Sequence, residues 1–432
     1  MKLVFIHGWS VTSTATYGNM PSILQKVAPK SLDLEVENIY LGEYISFSDE
    51  VTLHDIARAF ESARLEKLQD QKFACVTHST GAVVVRLWLD LFFKNNLRTS
   101  PLSHLVMLAP ANHGSALAIL GKSRVGRLKA WVDGVEAGVK VLEWLQLGSE
   151  EQWELNSSWL EYTYTKETFF PFVLSGEKID EKFYDFINSY LVEKGSDGVV
   201  RLAATNLNYK KLKLVQNINK ESNPLELEGP IRSSAPCPFE IVPNASHSGE
   251  DYGIMQSAKK SSPAIRSILK CLEVSTNKQY KSMITKSVGE FVMFIFNIKD
   301  NYGNKVEDYD MLLLAGDEYL PSQLPKNFYV DKQKNNKSKN LVYYLNCKKL
   351  RKVKNKKLGI KIVPRPDKGF VHYKSAEFKC NSLDDFLVGN QSVMIEVVLQ
   401  RVIDRNTFVL DEVGGDVVEF GDRGVNNSKG QL

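Results

Sequence analysis

A serine in a short turn is the residue of this sequence whose surroundings most favour covalent chemistry. Residues 72–77 predict a short buried strand, and residues 81–93 predict an apolar helix. The turn between them, Thr77-His78-Ser79-Thr80-Gly81, differs by one residue from the G-x-S-x-G turn that presents a nucleophilic serine. The N–H groups at the start of the helix would favour negative charge beside Ser79. The turn alone leaves an ordinary helix-capping serine open as the alternative.

The histidines of the chain narrow the choice of a base for this serine. An acyl-transfer serine needs a base within hydrogen-bonding distance and an acid that orients the base. In α/β-hydrolases these residues follow one another in the order serine, acid, histidine. Of the seven histidines, only His247 and His372 follow a plausible acid, and His372 falls in a β-rich segment. His247, just after a predicted strand at 239–242, is therefore the predicted base.

Asp197 is the predicted acid. It lies in the segment Gly195-Ser-Asp-Gly-Val-Val, whose glycines allow the loop to bend so that the carboxylate faces the histidine. The competing interpretation is an ordinary Asp-Gly turn. Asp180 and Asp185 are weaker alternatives, because they fall in or beside a helical stretch.

The first strand predicts where the oxyanion of a tetrahedral intermediate would bind. Residues 3–6 are apolar and run directly into His7-Gly8-Trp9-Ser10. In α/β-hydrolases an N–H of this loop joins the N–H of the residue after the nucleophile. The predicted donors are the backbone amides of Trp9 (or Ser10) and of Thr80. The alternative is that Gly8 only makes a turn.

Two further histidines lie close to predicted site residues in the sequence. His78 precedes Ser79, and adjacent residues at such a turn point apart, so we expect it to pack near the site rather than act as the base. His113 follows a predicted strand at 104–109 and, with Ser115, is a candidate for lining the substrate cleft.

The spacing of apolar residues predicts the fold of residues 1–274. Strand patterns at 34–40, 104–109 and 169–175 alternate with helical patterns such as that at 52–68. This alternation indicates βαβ units and a mostly parallel sheet. We therefore predict an α/β-hydrolase catalytic domain over residues 1–274.

Residues 117–160 interrupt this alternation and predict a long amphipathic helical insertion rich in tryptophan. One interpretation is a cap that packs on the core. The other is a lid or cleft wall that meets a lipid interface, where tryptophan is favoured. Trp131 and Trp144 are the candidate cleft residues of this insertion.

Residues 275–432 have a different texture, with β-rich runs separated by polar and glycine turns. They predict a separate C-terminal all-β domain with a sandwich-like architecture. The hydrophilic tail at 421–432 is expected to be disordered unless a partner orders it.

The composition argues against a disulfide-stabilised protein, a zinc protein and a protein that spans a membrane. Hydrophobic residues make up 43% and charged residues 25% of 432 residues, as in an ordinary globular chain. Five widely spaced cysteines without a C-x-x-C pair support neither a disulfide framework nor a zinc site. The apolar runs at 3–6 and 291–296 are too short for a signal peptide or a membrane span. We therefore expect a soluble or peripheral protein.

Charge is distributed unevenly along the chain. Residues 1–274 carry 29 Lys/Arg and 32 Asp/Glu, whereas residues 275–432 carry 26 and 19. The segment 326–361 holds 13 Lys/Arg and one acid. A solvated lysine-rich hairpin and attachment to anionic lipid are both open interpretations. Nucleic acid is not expected as a partner, since no binding module for it is visible. The candidate membrane-facing residues are Lys348, Lys349, Arg351 and Lys352.

The motifs together resemble the PlaB family of bacterial phospholipases A. They are Val-Thr-His-Ser-Thr-Gly, Gly-Ser-Asp-Gly-Val-Val-Arg, Asn-Ala-Ser-His-Ser and the opening His-Gly-Trp-Ser, and they cover about residues 1–250. The resemblance implies that Ser79 is the nucleophile, Asp197 the acid and His247 the base. It also implies that residues 275–432 serve membrane association and self-association. A bacterial, peripheral location at the outer membrane or cell surface follows from the resemblance alone.

We therefore predict a serine phospholipase A and lysophospholipase A that acts at a membrane surface. The resemblance further implies a homo-oligomer of two or more copies. Neither a cofactor nor a metal is expected. An acyltransferase or a general carboxylesterase on the same three residues is the first alternative. A non-catalytic lipid-binding scaffold with a vestigial hydrolase fold is the second, and the intact serine, acid and histidine argue against it.

Overall fold

The structure is a computed structural model. It describes residues 1–6, 17–38, 50–94, 96–118, 138–164, 169–179, 193–248, 252–255, 259, 261–286, 288–381 and 385–404. The strands within these ranges are β1 (Lys2–Ile6), β2 (Glu35–Asn38), β3 (Phe73–His78), β4 (Leu102–Leu108), β5 (Phe170–Ser175), β6 (Tyr209–Gln216), β7 (Leu225–Leu227), β8 (Arg232–Ser233), β9 (Phe239–Ile241), β10 (Phe291–Asp300), β11 (Tyr309–Ala315), β12 (Tyr329–Lys334), β13 (Leu341–Asn346), β14 (Leu358–Pro364), β15 (Val371–Tyr373), β16 (Ala376–Cys380), β17 (Gln391–Leu399) and β18 (Arg401–Ile403). The α-helices are α1 (Met20–Val27), α2 (Leu53–Lys67), α3 (Thr80–Phe93), α4 (Val139–Leu145), α5 (Glu150–Trp159), α6 (Leu202–Thr205), α7 (Pro263–Leu272), α8 (Asn277–Ser282) and α9 (Cys347–Leu350).

A parallel sheet of six strands organises the first part of the chain. Its strand order is β2-β1-β3-β4-β5-β9, and every pairing in it is parallel. Parallel sheets are buried on both faces, and every residue of β3 and of β5 is accordingly buried. The carboxyl ends of all these strands meet at one edge, where open α/β sheets carry their sites.

Helices cover both faces of this sheet. In β3, Phe73 and Cys75 join the apolar cluster that includes α2 and α3, whereas Ala74 and Val76 join the cluster that includes α1 and α7. This division follows from the two-residue period of a strand. The architecture confirms the predicted α/β-hydrolase fold.

A second sheet is built mainly from the C-terminal part of the chain. Its seven strands lie in the order β12-β13-β10-β17-β6-β7, with β8 also paired to β6. One face packs against the three-stranded sheet β11-β14-β16 around a core that includes Phe296, Tyr343 and Ile362. This face-to-face packing is the sandwich that the sequence predicts.

The other face of the seven-stranded sheet packs against the first part of the chain. Met293, Val342 and Tyr344 belong to the same apolar cluster as α3 and α5. The sheet is therefore buried on both faces, which explains why every residue of β13 is buried. The two parts of the chain therefore pack against each other through a common apolar core.

The second sheet also includes strands that precede residue 275, whereas the predicted domain boundary at 274 stays a prediction. Residues 209–233 supply β6, β7 and β8, and β6 pairs in parallel with β17. This pairing joins segments about 180 residues apart in the sequence, which no local pattern indicates. The sequence indicates that residues 208–238 are strand-like, but it does not indicate that β6 pairs with β17.

The described part of the predicted insertion, residues 138–160, contains α4 and α5. Trp144, Trp153 and Trp159 are buried there, which supports helices that pack on the core. Residues 119–137 of the insertion and the tail at 421–432 lie outside the described residues. Among the residues that the structure describes, no helix is long and apolar enough to span a membrane.

Candidate active site

Ser79 occupies the turn between β3 and α3. Its backbone torsion angles are φ 51° and ψ −121°, and a positive φ in a non-glycine residue costs about 1–3 kcal/mol. The Ser79 N–H donates to the carbonyl of Leu108 over 3.0 Å, which fixes the turn to the end of β4. This strained turn places the serine at the carboxyl edge of the parallel sheet, as the nucleophile motif predicts.

His247 lies on the loop that follows β9, the last strand of the parallel sheet. Its Nε2 lies 3.2 Å from the Ser79 Oγ, and its Nδ1 lies 2.9 Å from the Asp197 Oδ2. The ring is only 5% exposed. The structure therefore brings together three side chains that are separated by up to 168 residues in the sequence.

Asp197 is held in a compact loop between residues 193 and 201. Its second carboxylate oxygen, Oδ1, accepts hydrogen bonds from the backbone N–H groups of Val199 (3.0 Å) and Val200 (2.8 Å). Gly198, at φ 95°, allows the chain to turn sharply enough for these contacts. The loop thus leaves Oδ2 directed at His247.

The hydrogen bonds between Asp197 and His247 and between His247 and Ser79 define the chemical role of each side chain. With the Nδ1 proton donated to Asp197, Nε2 is left to accept the proton of the Ser79 hydroxyl. The 3.2 Å separation is within the range for a nucleophile and its base before substrate binds. The arrangement suits nucleophilic attack on an acyl group.

His78 contacts the base rather than replacing it. Its Nε2 donates to the backbone carbonyl of His247 over 3.0 Å, and the two rings lie 4.8 Å apart. It therefore helps to hold the histidine loop against the end of β3, in agreement with its predicted position beside the site.

Of the predicted oxyanion donors, only Thr80 lies within the described residues. Thr80 is the first residue of α3, so its N–H has no acceptor within the helix. Trp9 and Ser10 lie outside the described residues, and so do Asp180, Asp185 and Trp131. Their predicted roles stay predictions.

His113 lies on the loop that follows β4, and its side chain is buried. It is 1% exposed, its ring packs edge-on against Tyr209, and neither ring nitrogen has a hydrogen-bond partner among the described residues. Its backbone N–H donates to Ala204, just after the Asp197 loop. Burial, reinforced by the Arg86 charge, lowers the pKa of His113 to about 3.

This buried histidine predicts acid sensitivity. Because the pKa of His113 is about 3 when folded and about 6.5 when unfolded, the unfolded chain binds the proton first as the pH falls. Stability is unaffected above about pH 6.5 and is lost as the pH falls further towards 3. We expect His113 alone to lower the free energy of unfolding by about 2 kcal/mol between pH 7 and 5.

The measurement is chemical unfolding of the wild type and of His113→Leu at pH 7 and pH 5. The substitution removes the titrating group, so the variant should show the smaller loss of stability on acidification. Equal losses in the two proteins would contradict the prediction.

Trp144 is placed inside the core. It is 4% exposed, and its ring lies edge-on to His54 with 5.0 Å between ring centroids. Its assignment to a substrate cleft stays a prediction.

Most of the candidate membrane-facing residues have partners on the protein itself. Lys348 pairs with Glu290 at 3.0 Å, Lys349 donates to the Asn327 carbonyl at 2.9 Å, and Arg351 donates to the Leu387 carbonyl. Lys352 is exposed. Of these three contacts, only the Lys348–Glu290 ion pair offsets a positive charge, because the carbonyl acceptors of Lys349 and Arg351 are neutral.

Sequence reasoning missed a buried arginine two turns after the serine. The Arg86 guanidinium is fully buried and donates to the Oδ1 atoms of Asn112 (3.0 Å) and Asn156 (2.9 Å). It also lies 4.5 Å from the Trp159 ring centroid. Burial lowers the pKa of Arg86. A lone arginine in an otherwise apolar helix pattern was the available signal, because a buried charge requires polar partners.

No cluster of three or more His, Cys, Asp or Glu side chains suited to a metal ion occurs within the described ranges.

Among three comparisons with known proteins, only the one with solved structures gives matches, and the two described below cover 97% of this chain. No protein-family model and no curated protein matches the chain. The solved structure of the phospholipase PlaB from Legionella pneumophila is 40% identical, covers 97% of each chain and has a TM-score of 0.88. A structure of the same phospholipase in complex with thio-NAD is 39% identical, covers 97% of this chain and 98% of that one, and also has a TM-score of 0.88.

Proposed function

The chain belongs to the PlaB family of phospholipases and is an ester hydrolase, and from this premise we propose that it is a serine phospholipase A and lysophospholipase A. The observation that carries the proposal is the hydrogen-bonded series from Ser79 through His247 to Asp197. It supplies a nucleophile, a base and an acid in the chain order of an α/β-hydrolase.

The proposed reaction proceeds through an acyl-enzyme. The Ser79 Oγ attacks the ester carbonyl carbon while His247 Nε2 takes the hydroxyl proton, and Asp197 stabilises the resulting imidazolium. The Thr80 N–H and an amide of Trp9 or Ser10 bind the oxyanion. Collapse of the intermediate breaks the ester bond, and His247 returns its proton to the leaving alcohol. Water, deprotonated by His247, then releases the fatty acid and restores Ser79.

The test is an analysis of products from mixed phospholipid and lysophospholipid micelles. Free fatty acid as the main product supports hydrolysis, whereas acyl chains transferred to an added alcohol would favour the acyltransferase alternative. Cleavage of a soluble ester but of neither lipid would favour a general carboxylesterase. The assay is run with and without NAD, since thio-NAD binds the similar phospholipase.

We also propose that the protein works at an anionic membrane surface, as a peripheral protein that self-associates. The basic segment 326–361 supports this proposal, although several of its charges are already paired. Light scattering of the full chain tests self-association, and a monomer at all concentrations would contradict it.

Salt provides the test of the membrane contact. A lysine near an anionic surface contributes about 1 kcal/mol, so Lys352→Gln should weaken binding to phosphatidylserine vesicles about fivefold at low salt. Added salt should weaken wild-type binding as well. Lys26→Gln, an exposed lysine on α1, is the matched control. A flat salt response would contradict a role for this segment.

A further inference from the structure

The loop that carries Asp197 rests on the C-terminal sheet. The Tyr344 hydroxyl, on β13, donates to the backbone carbonyls of Gly195 (3.0 Å) and Lys194 (3.3 Å). Tyr344 is fully buried, and its ring stacks on that of Phe291 with centroids 5.3 Å apart. These contacts lie two to three residues before Asp197 in the chain.

Gly195 allows this close approach. Its φ is 74°, and a Cβ at this position would lie 2.5 Å from the Phe291 ring and 2.6 Å from the Tyr344 hydroxyl. Both the backbone conformation and the lack of space require glycine here. The loop therefore packs in direct contact with the C-terminal sheet.

The far end of the loop is held by a buried ion network. Arg201 is 2% exposed and binds Glu193 through two hydrogen bonds of 2.7 and 2.8 Å. It also binds Asp331 on β12, and its guanidinium lies 4.4 Å from the centroid of the Tyr344 ring. Glu193 and Arg201 are the two ends of the loop, so this network closes the loop and ties it to the C-terminal sheet.

The segment after the loop is fixed to the same sheet. Ser392 on β17 donates to the Ala203 carbonyl over 2.7 Å, and Asn206 donates to the Asn390 carbonyl over 2.7 Å. The loop and the segment after it therefore contact the C-terminal sheet at five residues, Lys194, Gly195, Arg201, Ala203 and Asn206. Ser79 and His247 instead lie on loops at the carboxyl edge of the parallel sheet.

We propose that Tyr344 and Asp331 are positioning residues for the reaction, through which the C-terminal sheet holds Asp197 in line with His247. The inference rests on the proposed function of Ser79, His247 and Asp197. It gives residues 275–432 a part in the chemistry in addition to any part in membrane binding. A shift of the loop relative to the parallel sheet changes the contact between Asp197 and His247, and with it the rate of acyl transfer.

Tyr344→Phe tests the proposal with the smallest change. Loss of the hydroxyl should lower kcat about tenfold, the scale of a lost hydrogen bond, and leave KM unchanged because Tyr344 lies behind the loop. Tyr343→Phe is the matched control, since Tyr343 is the next residue of β13, faces the sandwich core and donates to the Met311 carbonyl. Its kcat should equal that of the wild type. Both variants are compared by thermal melting.

A double-mutant cycle distinguishes positioning from a general loss of structure. If Tyr344 acts through Asp197, the tenfold loss should disappear when Tyr344→Phe is made in an Asp197→Asn background. A loss that persists in that background, or a Tyr344→Phe protein as active as Tyr343→Phe, would overturn the proposal. Should Tyr344→Phe fold poorly, Asp331→Asn replaces it in the cycle, because Asp331 is partly exposed and Arg201 keeps Glu193.

The rate at which a fluorophosphonate labels Ser79 is measured in the same proteins. Labelling depends on the three side chains and not on the lipid, so a wrong substrate would leave this readout intact. Labelling without lipid hydrolysis would contradict only the proposed function. Equal labelling rates in wild type and Tyr344→Phe would contradict only the positioning role, and no labelling of the wild type would overturn both.

Discussion

Ser79→Ala is expected to abolish lipid hydrolysis, with a loss in kcat of at least about 10⁴-fold. In serine hydrolases, removal of the nucleophile leaves only the contribution of the oxyanion site and substrate binding. Fatty-acid release is the measurement, with phospholipid and lysophospholipid assayed separately. Surviving hydrolysis of either lipid at the wild-type rate would remove Ser79 from the mechanism.

The same substitution should leave the melting temperature nearly unchanged. The positive φ of residue 79 strains alanine about as much as serine, and the structure shows no hydrogen bond from the Ser79 hydroxyl that caps α3. Ser175→Ala is the matched control at the same edge of the sheet. Its buried hydroxyl has no partner among the described residues, so full activity is expected.

Asp197→Asn should lower kcat by about 10³–10⁴-fold while KM changes little. The amide cannot stabilise the imidazolium and favours the wrong tautomer of the histidine. Its oxygen can still accept the N–H groups of Val199 and Val200, so the loop should keep its shape. The loss therefore belongs to the chemical step rather than to folding.

Asp300→Asn is the control for this substitution. Asp300 is equally buried and also accepts two backbone N–H groups, those of Tyr302 and Asn304, but it ends β10 in the C-terminal sheet. Wild-type kcat is expected for it. If Asp197→Asn retained wild-type activity, the acid would have to be another residue, and Asp180 and Asp185 would be the next candidates.

The sequence carried enough information to predict the three central side chains. Ser79 stands in a motif, Asp197 stands between glycines, and His247 was nearly the only histidine left after the acid. Motifs of this kind can be recognised locally, because the residue types that a nucleophile turn or an acid loop needs stand next to one another in the sequence. The parallel sheet was predictable for the same reason, since each βαβ unit is contiguous in the sequence.

Contacts between distant segments could not be predicted where no motif marks the residues that meet. Tyr344 meets the Asp197 loop from 149 residues away, and Asp331 meets Arg201 from 130 residues away. A tyrosine in an apolar strand has no local mark of such a role. The pairing of β6 with β17 is hidden for the same reason, and it brings residues 209–216 into the sheet that is otherwise built mainly from the C-terminal part of the chain.

These contacts affect how the C-terminal part should be studied. Deleting residues 275–432 would remove the partners of β6 and the support of the Asp197 loop together. Loss of activity in such a deletion would follow from the exposed core as much as from lost membrane binding. Single substitutions such as Lys352→Gln and Tyr344→Phe separate the two effects.

The most direct test of the account is to find which residue reacts with a fluorophosphonate, by mass spectrometry of the labelled protein. We predict a single adduct on Ser79 that phospholipid micelles compete away and that Ser79→Ala does not form. An adduct on another residue, or phospholipid hydrolysis by a protein that forms none, would contradict the central claim that Ser79 is the nucleophile.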